Sequence, residues 1–218
     1  MNTTPTTTLM IIRHGETEWN RGLRFQGHGD SPLTRIGRTQ AKALADRLAG
    51  APIDRLVSSD LGRACETAGY LAAVTGLEVR TDARLRERHY GPFEGLTTAE
   101  IEARYLEAYT RFRTDDPDYV LPGGESHRQH YQRNVDFLED FVKSHPGTTA
   151  ALVAHGGVLD SVFRFLAKLP LEQPRCYLVP NTSLTVIKYG LFYGTVRWVM
   201  ETWGDVSHLE GIGAFQGL

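Results

Sequence analysis

The sequence predicts a layered α/β protein. Short apolar runs of strand length alternate with longer stretches whose apolar residues recur at helical spacing. Two of the apolar runs end directly before Arg13-His14 and His155, at the strand exits where ligands of open α/β sheets gather. A chain of 218 residues has room for one well-filled core or two small domains. No internal repeat, low-complexity tract or clean boundary divides it, so one domain over residues 1–218 is expected.

Residues 9–12 read as a buried strand that delivers Arg13, His14 and Gly15 to its exit. Ala41, Leu44, Ala45 and Leu48 mark a helix, and Pro52 falls in the linker after it. Residues 53–57 read as a second strand. Asp60 is placed to cap the next helix, whose apolar face carries Leu61, Ala64, Cys65, Ala68 and Leu71. Arg63 lies off that face, near the helix N-terminus.

Thr97 and Glu100 have capping-box spacing and precede a helical face of Ile101, Tyr105, Ala108 and Phe112. Prolines and glycines interrupt regular structure over residues 115–124, which read as a mobile loop. Ser126 and Gln129 suggest a second capping box, before Tyr131, Val135, Leu138 and Val142. Residues 149–154 form the next strand, and His155 leaves it as His14 leaves the first. Leu159, Val162, Phe163 and Leu166 then mark a helix. Late strands over residues 184–188 and 195–200 complete a mixed sheet.

Hydrophobic residues at 41% and charged residues at 23% exclude both a disordered and a fibrous chain. A net charge of -2 gives no basis for a broad nucleic-acid surface, although a local arginine cluster can still bind a small anion. Residues 1–8 lack the basic-then-apolar pattern of a secretory signal. No run approaches the roughly 20 apolar residues of a membrane span. A soluble, cytoplasmic protein with neither nucleic-acid nor membrane partners is therefore expected. Cys65 and Cys176 form no metal or redox motif and read as reduced, partly buried thiols. No His-Glu-x-x-His or close cysteine-histidine pattern suggests a metal site.

Arg13-His14-Gly15 joins three useful chemistries. An unprotonated histidine nitrogen is a nucleophile, arginine grips phosphate oxygens in a fork, and glycine lets backbone approach closely. Spacing alone leaves other readings open. The triplet also suits a plain turn, Arg63 a solvated helix surface, Glu87 an ion pair within Arg84-Leu85-Arg86-Glu87-Arg88, and His155 a core edge. Asn20 and Gln26 could cap their own loop. Gly91 and Gly95 shape a turn, and His89 reads as structural. Trp19, Phe25, Trp198 and Trp203 read as packing residues, since no dinucleotide-binding pattern follows the first strand.

The wider sequence carries Arg13-His14-Gly15-Glu16-Thr17-Glu18-Trp19-Asn20, Gln26-Gly27, Asp30-Ser31-Pro32-Leu33-Thr34 and Ser58-Ser59-Asp60-Leu61-Gly62-Arg63-Ala64. Glu87-Arg88-His89-Tyr90-Gly91, Val153-Ala154-His155-Gly156-Gly157 and Asn181-Thr182-Ser183 follow. This ordered series resembles the histidine phosphatase superfamily in its phosphoglycerate mutase-like branch. It implies a three-layer α/β/α sandwich around a mostly parallel mixed sheet. By the same resemblance, His14 is the phosphorylated nucleophile, Arg13 and Arg63 hold phosphate, His155 is a second phosphate-pocket histidine and Glu87 gives and takes the proton. Asn20, Gln26, Gly27, Tyr90 and Gly156 are the further contacts it implies. No metal and no cofactor are implied for a phosphatase, and some family members are homodimers.

Glu87-Arg88-His89-Tyr90-Gly91 is especially similar to the phosphoglycerate mutases, so a mutase using bisphosphoglycerate is the alternative enzyme. The segment 92–100 lacks the nearby lysine and adjacent arginine pair that this resemblance would require for a glycerate carboxylate. Arg104, Arg111 and Arg113 are more widely spaced. Leu121-Pro122-Gly123-Gly124-Glu125-Ser126 also resembles the phosphatase members more closely. The expected activity is hydrolysis of a small phosphorylated metabolite, with an inactive phosphoprotein-binding module as the alternative outside enzymology.

Overall fold

Side chains of successive strand residues point to opposite faces, and here both faces are apolar. Leu9, Ile11, Leu152 and Ala154 point one way, while Ile12, Ala151 and Val153 point the other. Such strands are buried on both sides, so helices must cover each face. The computed structural model describes residues 5–212. The remaining residues of the expected 1–218 span lie outside those described.

In chain order the elements are β1 (Thr7–Arg13), α1 (Glu18–Arg21), α2 (Arg35–Leu48), β2 (Arg55–Ser58), α3 (Gly62–Thr75) and β3 (Val79–Thr81). They continue with α4 (Thr98–Phe112), α5 (His127–Ser144), β4 (Thr149–Ala154), α6 (Gly156–Ala167), β5 (Leu184–Phe192) and β6 (Thr195–Asp205). The sheet order is β3-β2-β4-β1-β5-β6. The first four strands in that order are parallel, and β5 runs antiparallel to both β1 and β6. Leu44, Leu48, Ala64, Ala68 and Leu71 bring α2 and α3 onto one face; Phe137, Leu138, Leu159 and Val162 bring α5 and α6 onto the other. This is the expected three-layer sandwich with a mostly parallel mixed sheet.

Phe93, Ile101 and Leu121 form a separate small core, packed by Phe25, Tyr90 and Phe112. It joins α4 to the loops around it. Both expected capping boxes form, at Thr97 with Glu100 and at Ser126 with Gln129.

Several local expectations need correction. Asp60 does not cap α3: Leu61 is the N-cap residue, without a side-chain cap. The Asp60 carboxylate instead receives two guanidinium hydrogen bonds from Arg86, at 2.7 and 2.5 Å. Asp30, distant in sequence, accepts from the Arg63 backbone N at 3.3 Å. The second strand begins at Arg55 because Ile53 N turns back onto the Ala51 carbonyl at 2.8 Å. The face expected on α4 is broken at Tyr105, which has non-helical φ/ψ of −139° and 38°. Cys176 is exposed, whereas Cys65 is half-buried.

Candidate active site

β1 and β4 pair in parallel register with Arg13 beside Ala154, so the next residue of each strand leaves the sheet at the same edge. His14 N donates to the Ala154 carbonyl at 2.9 Å, and the His14 and His155 ring centroids are 5.1 Å apart. Both histidines are buried. The loop after His14 lies tightly on α2. A Cβ on Gly15 would fall 2.6 Å from the Gly37 carbonyl oxygen, and one on Gly37 would fall 2.0 Å from the Glu16 carbonyl oxygen. Gly15 N is also held by Thr67 Oγ1 at 3.0 Å.

His14 Nδ1 lies 2.8 Å from the Gly15 carbonyl oxygen, which can only accept. The hydrogen therefore sits on Nδ1 and leaves Nε2 with a lone pair. Burial, then the charges of Arg63 and Arg13, hold the His14 pKa well below its ordinary value, so the ring is neutral. His155 is likewise kept neutral, first by burial and then by Arg63.

Three buried nitrogens around these rings have no hydrogen-bond partner among the described residues: Arg13 Nε, Arg63 Nε and His155 Nδ1. The rest of each group is firmly held. Arg63 is fully buried, with its terminal nitrogens donating to the Gly27 and Gly29 carbonyls at 2.7 Å each. Arg13 donates to the Val179 carbonyl. His155 Nε2 meets Ser59 Oγ at 2.8 Å. Burial lowers the Arg13 pKa to about 10, still far above neutrality. Fixed cationic donors beside two buried histidines suit a tetrahedral oxyanion.

Glu87 enters from the loop before α4. Its Oε1 accepts from Arg88 N at 2.8 Å, and its Oε2 accepts from Gly157 N in the first turn of α6 at 3.0 Å. A cavity of about 180 Å³ opens beside it, bordered by Arg88, Tyr90, His127, His130, Gly157 and Arg175. Arg13 and Arg63 each feel the charge of Glu87 and both act on His14, so the two arginines lie between the histidine and the carboxylate electrostatically.

The other predicted contacts divide. Asn20 Oδ1 accepts from Thr17 N at 3.1 Å, and Gln26 Oε1 accepts from Thr17 Oγ1 at 3.0 Å, so both oxygens serve their own loop. Gly27 has φ +54°, and a Cβ there would lie 2.0 Å from Glu94 Oε1. Gly156 opens α6 beside Arg13 Nε. Tyr90 borders the cavity with its ring edge-on to Phe25. His89 Nδ1 accepts from Gly91 N at 3.0 Å, in keeping with a structural role. Trp19 packs over Gly95, and Phe25 joins the small aromatic core.

Sequence reasoning missed the residues that hold this set in place. Thr67 sits one helical turn after Arg63, a spacing that could have drawn attention to it. Ser59 lies inside the motif at residues 58–64, where nothing local marks it as the partner of His155. Asn181 donates to the His14 carbonyl at 2.9 Å. Glu94 accepts from the backbone N of His28, Gly29 and Tyr90 at 2.9, 2.7 and 3.0 Å, tying two loops together. A single carboxylate among glycines carries no signal of that role.

Residues 9–205 match the family model described as the histidine phosphatase superfamily (branch 1). Phosphoglycerate mutase-like protein 4 of Arabidopsis thaliana is 40% identical, over 95% of this chain and 89% of its own length. A metal-independent phosphoserine phosphatase of the same plant is 36% identical, over 96% and 86%. The solved structure of a mycobacterial glucosyl-3-phosphoglycerate phosphatase in complex with VO3 superposes with a TM-score of 0.76 at 36% identity, covering 90% of this chain and 98% of that one. The chain therefore belongs to branch 1 of the histidine phosphatase superfamily.

Proposed function

We propose that this enzyme hydrolyses small phosphorylated metabolites without a metal, through a phosphohistidine on His14. The observation that carries the reading is the neutral His14 ring, fixed with its Nε2 lone pair free, near three buried nitrogens that have no partner among the described residues. Arg13, Arg63 and His155 bind the phosphoryl oxygens, with the Asn20 and Gln26 amides and the backbone at Gly27 and Gly156 beside them. Tyr90 borders the leaving group.

The Nε2 lone pair attacks phosphorus as the ester P–O bond breaks, and protonated Glu87 gives its proton to the departing oxygen. Water then attacks the phosphohistidine, ionised Glu87 takes its proton, and the P–N bond breaks to restore His14. The arginines balance the phosphoryl charge throughout. The relative named as a metal-independent phosphoserine phosphatase supports this reading. Hydrolysis rather than mutase activity is supported by the stacking of Arg111 on Tyr119 and Arg113 on Tyr109, which gives those guanidiniums other partners than a substrate carboxylate. Asp115 borders the cavity beside Glu87, and we read residues 115–124 as a loop covering it within one domain.

The test compares phosphate release with isomer production over a panel of small phosphomonoesters, with chelator present and bisphosphoglycerate varied. Phosphate release that survives the chelator is expected. Rapid interconversion of phosphoglycerates with little phosphate release would overturn hydrolysis, and activity restored only by a divalent ion would overturn the metal-free step. Rapid-quench labelling of His14→Ala should yield no acid-labile phosphohistidine.

A further inference from the structure

The wall of the pocket behind Glu87 is polar, although it lies between two packed helices. His130, on α5, is 1% exposed and shares its burial with Asn134 and Ser161. Asn134 Nδ2 lies 3.1 Å from His130 Nε2 and 3.0 Å from Ser161 Oγ. Ser161 Oγ donates to the Gly157 carbonyl at 3.0 Å, and Gly157 N donates to Glu87 Oε2 at 3.0 Å. The circuit nearly closes on itself, because His130 Nε2 stands 3.9 Å from Glu87 Oε1. A Cβ on Gly157 would lie 2.1 Å from Glu87 Oε1 and 3.0 Å from His130 Cε1, so glycine is what allows the two side chains to meet.

Apolar residues would fill an interhelical position more cheaply than a buried imidazole and amide. Asn134 Oδ1 is moreover buried with no partner among the described residues. In the arrangement present, Asn134 Nδ2 faces His130 Nε2. A half-turn of the amide exchanges its oxygen and nitrogen; Oδ1 then accepts from a His130 Nε2–H, and from Ser161 Oγ once that hydroxyl turns away from the Gly157 carbonyl. That hydrogen has a second acceptor in Glu87 Oε1 once the pair closes by roughly 1 Å into hydrogen-bond range.

We propose that His130 is a positioning residue for Glu87, offering a neutral Nε2–H donor to the carboxylate that forms when Glu87 gives up its proton. The inference rests on the acid-base role proposed above for Glu87. His130 suits the task because burial, followed by Arg133, lowers its pKa to about 3. It therefore adds a dipole beside Glu87 rather than a charge. Glu125, His127 and Arg88 also act on His130. Around Glu87 the other charged or titratable neighbours include Arg13, Arg63 and Tyr90, with His28 and Arg133 on its backbone carbonyl, Arg88 next in the chain, and Gly157 N as the fixed donor from α6. These remain in place when His130 alone is changed. Loss of its donor is then expected to make Glu87 harder to ionise.

The test is the alkaline limb of kcat/KM for an alkyl phosphomonoester, such as phosphoserine, whose poor leaving group needs a protonated acid. His130→Phe should move that limb up by about one pH unit, and His130→Gln, which retains a donor, should leave it near the wild-type position. With p-nitrophenyl phosphate, whose leaving group needs little protonation, the shift should shrink. His130→Met supplies a second apolar replacement if the phenylalanine variant does not fold. A limb unmoved in the apolar variants, or moved equally in His130→Gln, would overturn the proposal. Glu87→Gln separates the two readings. If it leaves the limb intact, the role of Glu87 itself has failed; if it abolishes the limb while His130→Phe changes nothing, only the His130 proposal has.

Discussion

His155 Nε2 and Ser59 Oγ lie 2.8 Å apart in full burial, and the Leu61 backbone N points at the same serine oxygen from 3.4 Å. With its oxygen already accepting from Leu61, the serine hydroxyl hydrogen is best spent on His155 Nε2. This leaves the hydrogen of His155 on Nδ1, the ring atom without a partner among the described residues.

Ser59→Ala should therefore weaken phosphate binding by freeing the His155 ring to change tautomer. A loss of about 1–3 kcal/mol in transition-state stabilisation is expected for a buried hydrogen bond left unmade. Steady-state kinetics beside an inorganic-phosphate inhibition constant measures it, and unchanged values for both would remove Ser59 from the pocket.

Arg63→Lys tests the fork. A lysine ammonium cannot reproduce the two planar donors that reach Gly27 and Gly29, nor the remaining Nε–H. We expect kcat/KM to fall on the order of 10²-fold, as when a fixed oxyanion donor is lost. A variant within a few-fold of wild type would show that charge alone suffices there.

Gly37→Ala probes the contact between α2 and the loop after His14. The new methyl would meet backbone rather than a flexible side chain, at 2.0 Å from the Glu16 carbonyl oxygen. Chemical denaturation should register a loss of roughly 1–3 kcal/mol, with activity falling further because the loop carries His14. Wild-type stability and activity would contradict the close approach.

Acid should weaken the fold before ordinary carboxylates begin to titrate. Buried His14, His130 and His155 have folded pKa values below 6.5, about 3 for His130. Above pH 6.5 the folded and unfolded forms are both neutral, and the contribution is fully present. Below it the unfolded chain takes up protons that the folded protein refuses, so stability falls as the pH drops through that window. Urea midpoints between about pH 8 and pH 5 should decline, and His130→Gln should decline less steeply, by up to about 1.4 kcal/mol per pH unit for each histidine removed.

Legibility in the sequence followed the physical range of each interaction. The helical periods of α2 and α5 were readable because each helix turns its apolar residues to one face of the sheet, and β4 was readable as an unbroken apolar run because it is buried on both faces. Thr97 and Ser126 were readable because a capping box is completed within four residues. Asp60 misled because its partner Arg86 and the true donor-side partner of α3, Asp30, both arrive from elsewhere in the chain. β3 spans only three residues, too few to display a period, and joins the sheet through pairing with β2. Arg13, His14, Arg63, Glu87 and His155 came from the family resemblance, since their patterns alone left solvent-facing readings open. Ser59, Thr67, Glu94 and His130 act through tertiary contacts that no local pattern encodes.

The side-by-side pairing of β1 and β4 has a consequence for biosynthesis. His14 leaves the ribosome early, but its partner His155 emerges only after most of the chain has been made. Since β4 lies between β1 and β2, the central sheet cannot close until that late segment inserts. Nascent chains ending before β4 carry His14 without the strand that seats His155 beside it, so the paired-histidine site appears only as the last third of the polypeptide is added. Premature termination would then release fragments that lack the assembled site.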